Sequence, residues 1–181
     1  MAPSPFPPTT EPGLIDAARD GDAAARKALV LAHQEPLFRM LVRLSSDHEL
    51  ARDLSQEAFV KALNALGGFR AGAAFRPWLF KIANNLFLDH VRARRPESLD
   101  ALLEDGMEAG GEDAAIVRTP LQLDLEAALT LLPVSWRQAI VLRHQEDLPY
   151  EEIAEILGVP LGTVKTWIFR GRERLRELLG G

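Results

Sequence analysis

The stretch PYEEIAEILGVPLGTVKTWIFRGRERLREL, Pro149 to Leu178, decides the fold. Working outward from its glycine, Tyr150 to Leu157 reads as a short helix, Gly158-Val159-Pro160 as a turn, and the remainder as a long helix ending near Leu179. Ile153, Ala154 and Leu157 on the first helix are spaced to pack against Val164 and Ile168 on the second. Gly158 supplies the positive φ that ends the short helix. A turn of three to four residues containing glycine is what a helix-turn-helix requires. A helix that enters a major groove carries polar donors at its N-terminal end and cations on its flanks. Thr163, Lys165, Thr166 and Trp167 occupy that end, and Arg170, Arg172 and Arg174 follow. An amphipathic surface helix with a basic outer face is the competing reading. The agreement of helix, turn and helix lengths favours DNA recognition.

The overall charge points the other way. The 181-residue chain has a formal charge of -5 and no cysteine. The charge is unevenly spread, however. Gly67 to Arg95 holds 6 basic side chains against 1 acidic, and Pro96 to Ala114 holds 7 acids and no base. Pro160 to Arg176 carries Lys165, Arg170, Arg172, Arg174 and Arg176 against Glu173 alone. Two positive islands in an acidic chain are sufficient, because a phosphate backbone responds to the local potential. The balance implies weak unaided affinity or a larger partner. Without cysteine, disulfides and thiolate zinc sites are excluded. The four histidines are scattered, so no metal site or cofactor is expected. No stretch approaches the roughly 18 apolar residues of a membrane span. MAPSPFPPTTEPG does not read as a signal peptide, lacking a basic region followed by an apolar core.

The same patterning divides the chain. Residues 1–12 read as a loose Pro-rich tail, 13–96 as a helical unit, 97–120 as a flexible acidic linker with a short helical turn at Leu99 to Leu103, and 121–181 as a second helical unit. Strand-like alternation is absent, so the expected class is all-α. In the first unit, Ala24 to Leu44 reads as a helix interrupted or kinked near Pro36. Asp47 is placed to cap the next helix, which runs to about Leu66. There Ala51, Leu54, Ala58, Phe59, Ala62 and Leu66 form an apolar face, while Asp53, Gln56, Glu57, Val60 and Asn64 point away. Such a face is ordinarily just solvated, but Val60 among carboxylates suits a surface that binds a partner. In the second unit, Leu121 to Leu131 and Ser135 to Leu142 read as helices, with Ser135 as the candidate cap.

The third helix, from about Ala73 to Arg95, has a core stripe of Leu79, Ile82 and Leu86. At about 100° per residue, Trp78, Lys81, Asn85, Asp89 and Arg92 cluster on another face. A stacking ring, cations and short amides form the set that single-stranded DNA demands, since unpaired bases expose their ring faces. The competing reading places Phe75, Trp78, Phe80 and Phe87 in the core, with Asn84 and Asn85 merely solvated. GGFRAGAA, Gly67 to Ala74, is a loop ahead of the helix in which a base could be held. Neither unit suggests catalysis. The carboxylate pairs Asp53/Glu57 and Glu151/Glu155 lack a histidine or metal partner, and no Gly-rich phosphate loop is present.

With these residues in place, the chain resembles the extracytoplasmic-function group of the bacterial sigma-70 family over about Ile15 to Arg95 and Leu121 to Leu178. The resemblance implies two small helical domains, like sigma regions 2 and 4, the latter a four-helix domain with the helix-turn-helix. DLSQEAFVKAL, Asp53 to Leu63, is similar to the helix that docks on the β′ clamp of core RNA polymerase, and the β flap is implied as a second contact. FRAGAAFRPWLFKIANNLFLDHVRARR, Phe69 to Arg95, is similar to the part that reads and melts the −10 element. It adds Phe69, Arg70, Phe75, Arg76 and Asn84 to the face above. Asn85 stands where the family contacts a flipped base. Lys165, Thr166 and Arg170 match family positions on the −35 groove.

Two departures stand out. Trp167 replaces a residue commonly arginine or otherwise polar, which implies either different −35 contacts or a packing role. Asn84 replaces what is often a basic residue. The implied partners are core polymerase, promoter DNA and an anti-sigma factor. The implied location is the cytoplasm, with an anti-sigma factor able to hold the protein at the inner membrane face. A sensory domain behind the helix-turn-helix is not expected. The main alternative is a two-domain helix-turn-helix regulator that binds duplex DNA without polymerase.

Overall fold

A computed structural model describes residues 11–70, 72–94 and 125–180. The acidic linker, including its expected helical turn at Leu99 to Leu103, lies outside these residues. Among them the secondary structure is helical, with no strand. The N-terminal unit holds α1 (Glu11–Arg19), α2 (Ala23–Ser45), α3 (His48–Ala65) and α4 (Phe75–Arg94), with a 3-10 turn at Leu66–Gly68 after α3. The C-terminal unit holds α5 (Leu125–Thr130), α6 (Val134–His144), α7 (Tyr150–Leu157) and α8 (Leu161–Leu179).

Local chemistry explains most of the boundaries. Asp22 caps α2 by accepting from the Ala24 and Ala25 amides at 2.7 and 3.0 Å. Asp47 does the same for α3, accepting from Glu49 and Leu50 at 2.9 and 3.1 Å. Each satisfies amide donors that a helix N-terminus leaves free. The helix α2 runs through Pro36 without the expected interruption. Leu29 and His33 before the proline and Leu37, Met40, Leu41 and Leu44 after it are all buried, so packing on both sides holds one helix. Ser135 does not cap α6. The helix begins one residue earlier, with Pro133 at the cap position and no side-chain bond, and Ser135 is buried in the first turn.

The helix α1 was not foreseen, and Glu11 and Pro12 belong to it rather than to a loose tail. Tertiary contacts hold it. Arg19 donates from Nε to the Leu66 carbonyl and from Nη2 to the Phe69 carbonyl, both at 3.1 Å. His33 Nε2 meets Glu11 Oε1 at 2.8 Å. These bonds tie α1 to α2 and to the loop that precedes α4.

In the C-terminal unit Gly158 has φ +68, and its amide bonds the Ala154 carbonyl at 2.9 Å, closing α7. Ile153 and Ile156 are the buried residues of α7, with Ala154 and Leu157 partly covered. They face Val164, Trp167 and Ile168 of α8 across the same core. Where α8 crosses α6, Gly171 comes so close that an added Cβ would lie 2.9 Å from Ile140 Cγ1. Glycine there sets the separation of the two helices.

The two units also pack on each other, α4 against α7 and α2 against α6. Gln138 Nε2 donates to Asn84 Oδ1 at 2.6 Å in a buried position. Arg137 Nη1 donates to the Leu44 carbonyl at 2.8 Å, covering the C-terminal end of α2, and its Nη2 bonds Thr130 within its own unit. Ion pairs join Arg43 to Glu126 and Arg76 to Glu146.

Candidate nucleic-acid interface

The outer face of α8 is built by its phase. Val164, Trp167, Ile168 and Gly171 turn inward. Lys165 and Thr166 are exposed on the opposite side, while Arg172, also exposed, lies at the edge of the face and lines a cleft with His144 of α6 and Arg39 and Arg43 of α2. Phe169, 66% exposed, lies beside Lys165 and Thr166. Trp167 is only 9% exposed and packs in the core, so of its two expected roles the structure selects packing. Its position, three residues after Val164 and four before Gly171, required this. The seven residues anticipated on this helix therefore do not form one surface. Thr163 and Arg170 are half-buried, and Arg174 lies about 180° around the helix from Lys165, where it pairs with Glu177 at 2.9 Å. The sequence reading did not include Phe169 in this face. The signal was available: Phe169 stands four residues after Lys165 and three after Thr166, on the polar face.

On α4, Lys81, Asn85, Asp89 and Arg92 are exposed, and Trp78 is half-buried. Arg92 Nη1 is 3.2 Å from Asp89 Oδ1. Phe75 is 0% exposed and Phe69 is buried, so neither offers a ring face to a base as anticipated. Instead they brace Trp78, whose ring centroid lies 4.8 Å from Phe69 and 5.7 Å from Phe75. A cleft of about 500 Å³ opens here. Gly68, Phe69 and Arg70 of the loop and Trp78 and Lys81 of the helix line one side. Glu152, Glu155 and Ile156 of α7 line the other.

Two other anticipated DNA contacts face the second unit rather than solvent. Asn84 is 1% exposed and accepts from Gln138. Arg76 lies over the Phe80 ring at 5.1 Å and pairs with Glu146, a carboxylate with no exposed surface. Burial raises the Glu146 pKa above the ordinary carboxylate value, and Arg76 opposes that rise.

The third surface is on α3. Asp53, Gln56, Glu57, Val60 and Asn64 are all exposed along one side, with Val60 58% exposed. Glu57 pairs with Lys61 at 3.0 Å. Together, an exposed polar and cationic helix face in a helix-turn-helix on one all-α unit and a cation-and-amide face on the other have the composition of a nucleic-acid reader.

Comparison with known proteins identifies the kind of reader. The chain matches the sigma-70 region 2 family over residues 29–97 and the sigma-70 region 4 family over residues 122–175. It is 37% identical over 177 residues to the RNA polymerase sigma-H factor of Pseudomonas aeruginosa, covering 92% of each chain. It is 34% identical over 179 residues to the ECF RNA polymerase sigma factor SigW of Bacillus subtilis, covering 91% of this chain and 94% of SigW. Among solved structures it is similar to the sigma factor RpoE of Bartonella quintana in complex with the anti-sigma factor NepR. That match has a TM-score of 0.67 and 33% identity over 85% of this chain and 96% of the other. It is also similar to CnrH in complex with the cytosolic domain of CnrY, with a TM-score of 0.71 and 27% identity over 94% of this chain and 97% of the other.

The chain belongs to the sigma-70 family, in its extracytoplasmic-function group, and is a non-enzymatic initiation factor that directs RNA polymerase to promoters. The alternative of a regulator acting without polymerase gives way to this membership. Among the described residues no helix is long and apolar enough to cross a membrane.

Proposed function

We propose that three surfaces divide the work of promoter recognition. Asp53, Gln56, Glu57, Val60 and Asn64 on α3 dock on the polymerase clamp. The α4 face of Trp78, Lys81, Asn85, Asp89 and Arg92, with Arg70 in the loop, captures the unpaired −10 strand. Lys165, Thr166 and Phe169 on α8 enter the −35 major groove, with Arg170, Arg172 and Arg174 at its flanks.

The observation that carries this reading is the separation of the three faces onto three helices, each with chemistry suited to its target. On α3, carboxylates surround an exposed valine. On α4, a braced tryptophan stands beside a cation and an amide, the combination that stacks bases and neutralises phosphates. On α8, cations and a hydroxyl flank an exposed ring able to contact a thymine methyl.

Opening a duplex costs about 1.4 kcal/mol per base-pair step in lost stacking, and base capture on α4 together with polymerase contacts offsets it. The relatives solved with anti-sigma proteins support an anti-sigma partner for this chain too, acting in the cytoplasm. The test is run-off transcription with purified core polymerase on a pool of genomic promoter fragments. Discrete starts that require the protein and are lost with Asn85→Ala or Lys165→Ala support the assignment. Starts unaffected by both substitutions remove it.

A further inference from the structure

We propose that Arg19 of α1 is a positioning residue for strand capture: its guanidinium fixes the backbone of the loop ahead of α4, and through it the ring and the cation that meet an unpaired base. The inference rests on the reading of α4 given above, and adds to it a residue outside the three proposed surfaces.

Arg19 lies 47 and 50 positions from the two carbonyls it holds. Nε donates to Leu66 and Nη2 to Phe69, while Nη1 donates to Asp16 at 2.8 Å. The bond to Leu66 by itself would be a cap on the C-terminal end of α3. The bond to Phe69 lies beyond the 3-10 turn and serves the loop. Because a guanidinium is planar and rigid, its two donors set the separation of the two carbonyls. The Phe69 amide also donates to the Leu66 carbonyl, at 3.1 Å, so both backbone groups of Phe69 are held.

Phe69 passes this constraint to the site. Its ring is buried, 4.8 Å from the Trp78 ring and 5.9 Å from that of Phe75. Arg70 follows directly and lines the cleft beside Trp78 and Lys81. A turn then closes on it, the Ala73 amide donating to the Arg70 carbonyl at 3.2 Å. A second route from α1 ends at the same indole. Glu11 holds His33, whose ring lies 5.1 Å from Phe75, and Phe75 in turn lies 5.7 Å from Trp78. A loop fixed before capture avoids the ordering cost that a loose one meets on binding.

The test reads discrimination between bases. Core polymerase reconstituted with the full-length chain is titrated with a single-stranded oligonucleotide bearing the −10 sequence recovered from run-off starts, and with a second in which one −10 base is replaced. Arg19→Lys keeps the charge and removes the fork, whereas Arg19→Ala removes both. Each variant should bind core polymerase and −35 duplex as the wild type does. Each should lower the ratio of matched to mismatched affinity by about tenfold, the worth of one hydrogen bond to a charged group. The chain has three tryptophans, so 5-fluorotryptophan gives three fluorine signals. That of Trp78, assigned by its loss in Trp78→Phe, should shift in both variants, while those of Trp136 and Trp167 stay in place.

A ratio that Arg19→Lys leaves unchanged overturns the inference. An equal fall in affinity for both oligonucleotides overturns it too, because lost phosphate attraction carries no sequence information. Loss of core binding in Arg19→Lys would make Arg19 a structural residue and has the same consequence. Wild-type protein with no preference for the matched oligonucleotide would instead refute the reading of α4, while the Trp78 signal still decides whether Arg19 fixes the ring.

Discussion

The tight crossing of α8 over α6 at Gly171 makes a prediction whose sign the geometry sets. Replacing Gly171 with alanine adds a methyl 2.9 Å from Ile140 Cγ1, 3.3 Å from Ile140 Cδ1 and 3.5 Å from Trp136 Cβ. Helix propensity alone favours alanine over glycine by about 1 kcal/mol. Overpacking a tight contact costs about 1–3 kcal/mol. Ile140 is buried and branched at Cβ, so Cγ1 cannot swing aside, and α6 and α8 must part. The clash wins, for a net loss of about 0–2 kcal/mol.

Urea unfolding of the full chain measures the change, and a second substitution isolates its cause. In an Ile140→Ala background the obstructing carbons are gone. Gly171→Ala should then become neutral or stabilising, giving a coupling of about 1–3 kcal/mol between the two sites. A gain of about 1 kcal/mol from Gly171→Ala alone, or the same effect in both backgrounds, would refute the close packing. Because the proposed groove face lies on α8, the single variant should also weaken binding to −35 duplex DNA, with binding restored as stability is restored.

Other substitutions separate surface from core. Asp53→Lys with Glu57→Lys should abolish binding to core polymerase, yet shift the unfolding free energy by no more than about 0.5 kcal/mol, since both residues are exposed. Phe169→Ala should weaken −35 binding with little loss of stability. Trp167→Ala should cost about 3–5 kcal/mol in urea unfolding, and a stability unchanged by it would contradict the burial of that ring. Burial lowers the His33 pKa below its ordinary 6.5, with Arg76 adding to the shift and Glu11 opposing it. The neutral ring is therefore the folded form. Its contribution to stability is fully present above pH 6.5 and declines as acid protonates the unfolded chain. His33→Gln should flatten that part of the stability profile. Glu146 has the opposite sign. Its raised pKa means that its contribution to stability is present at low pH and is lost as pH climbs from about 4.5 through the folded value. Urea unfolding measured against pH should follow that trend in the wild type and not in Glu146→Gln.

Local chemistry was the legible part of this chain. The helix Tyr150–Leu157, its Gly158 end and the Asp47 cap each depend on residues within a few positions of one another. Each was accordingly written in the order of side chains. The burial of Trp167 was also legible from its phase between Val164 and Gly171. The family pattern, with a polar residue at that position, drew attention outward instead. The helix α1 was not legible, because Pro12 and Gly13 weaken its local signal and the bonds that hold it come from Leu66, Phe69 and His33. The pairing of Asn84 with Gln138 spans 54 positions. No periodicity within either helix could announce it. Of the anticipated DNA contacts that proved covered, Phe69, Phe75 and Trp167 are buried within their own units, while Arg76 and Asn84 meet the other unit. Reading each unit alone had left those last two on a surface.

The acidic net charge acquires a physical role in this arrangement. A chain with two basic islands and a net charge of -5 would bind DNA weakly and without discrimination if its islands were always exposed, since phosphate attraction carries no sequence information. Glu146 pairs with Arg76, and Glu152 and Glu155 stand across the cleft from Arg70 and Lys81, so part of the acidity lies against the basic face of α4. In the proposed division of surfaces, the exposed Asp53 and Glu57 leave an anionic face for polymerase to take. A target delivered by polymerase then needs less phosphate attraction from this chain, which is how an acidic protein can read DNA.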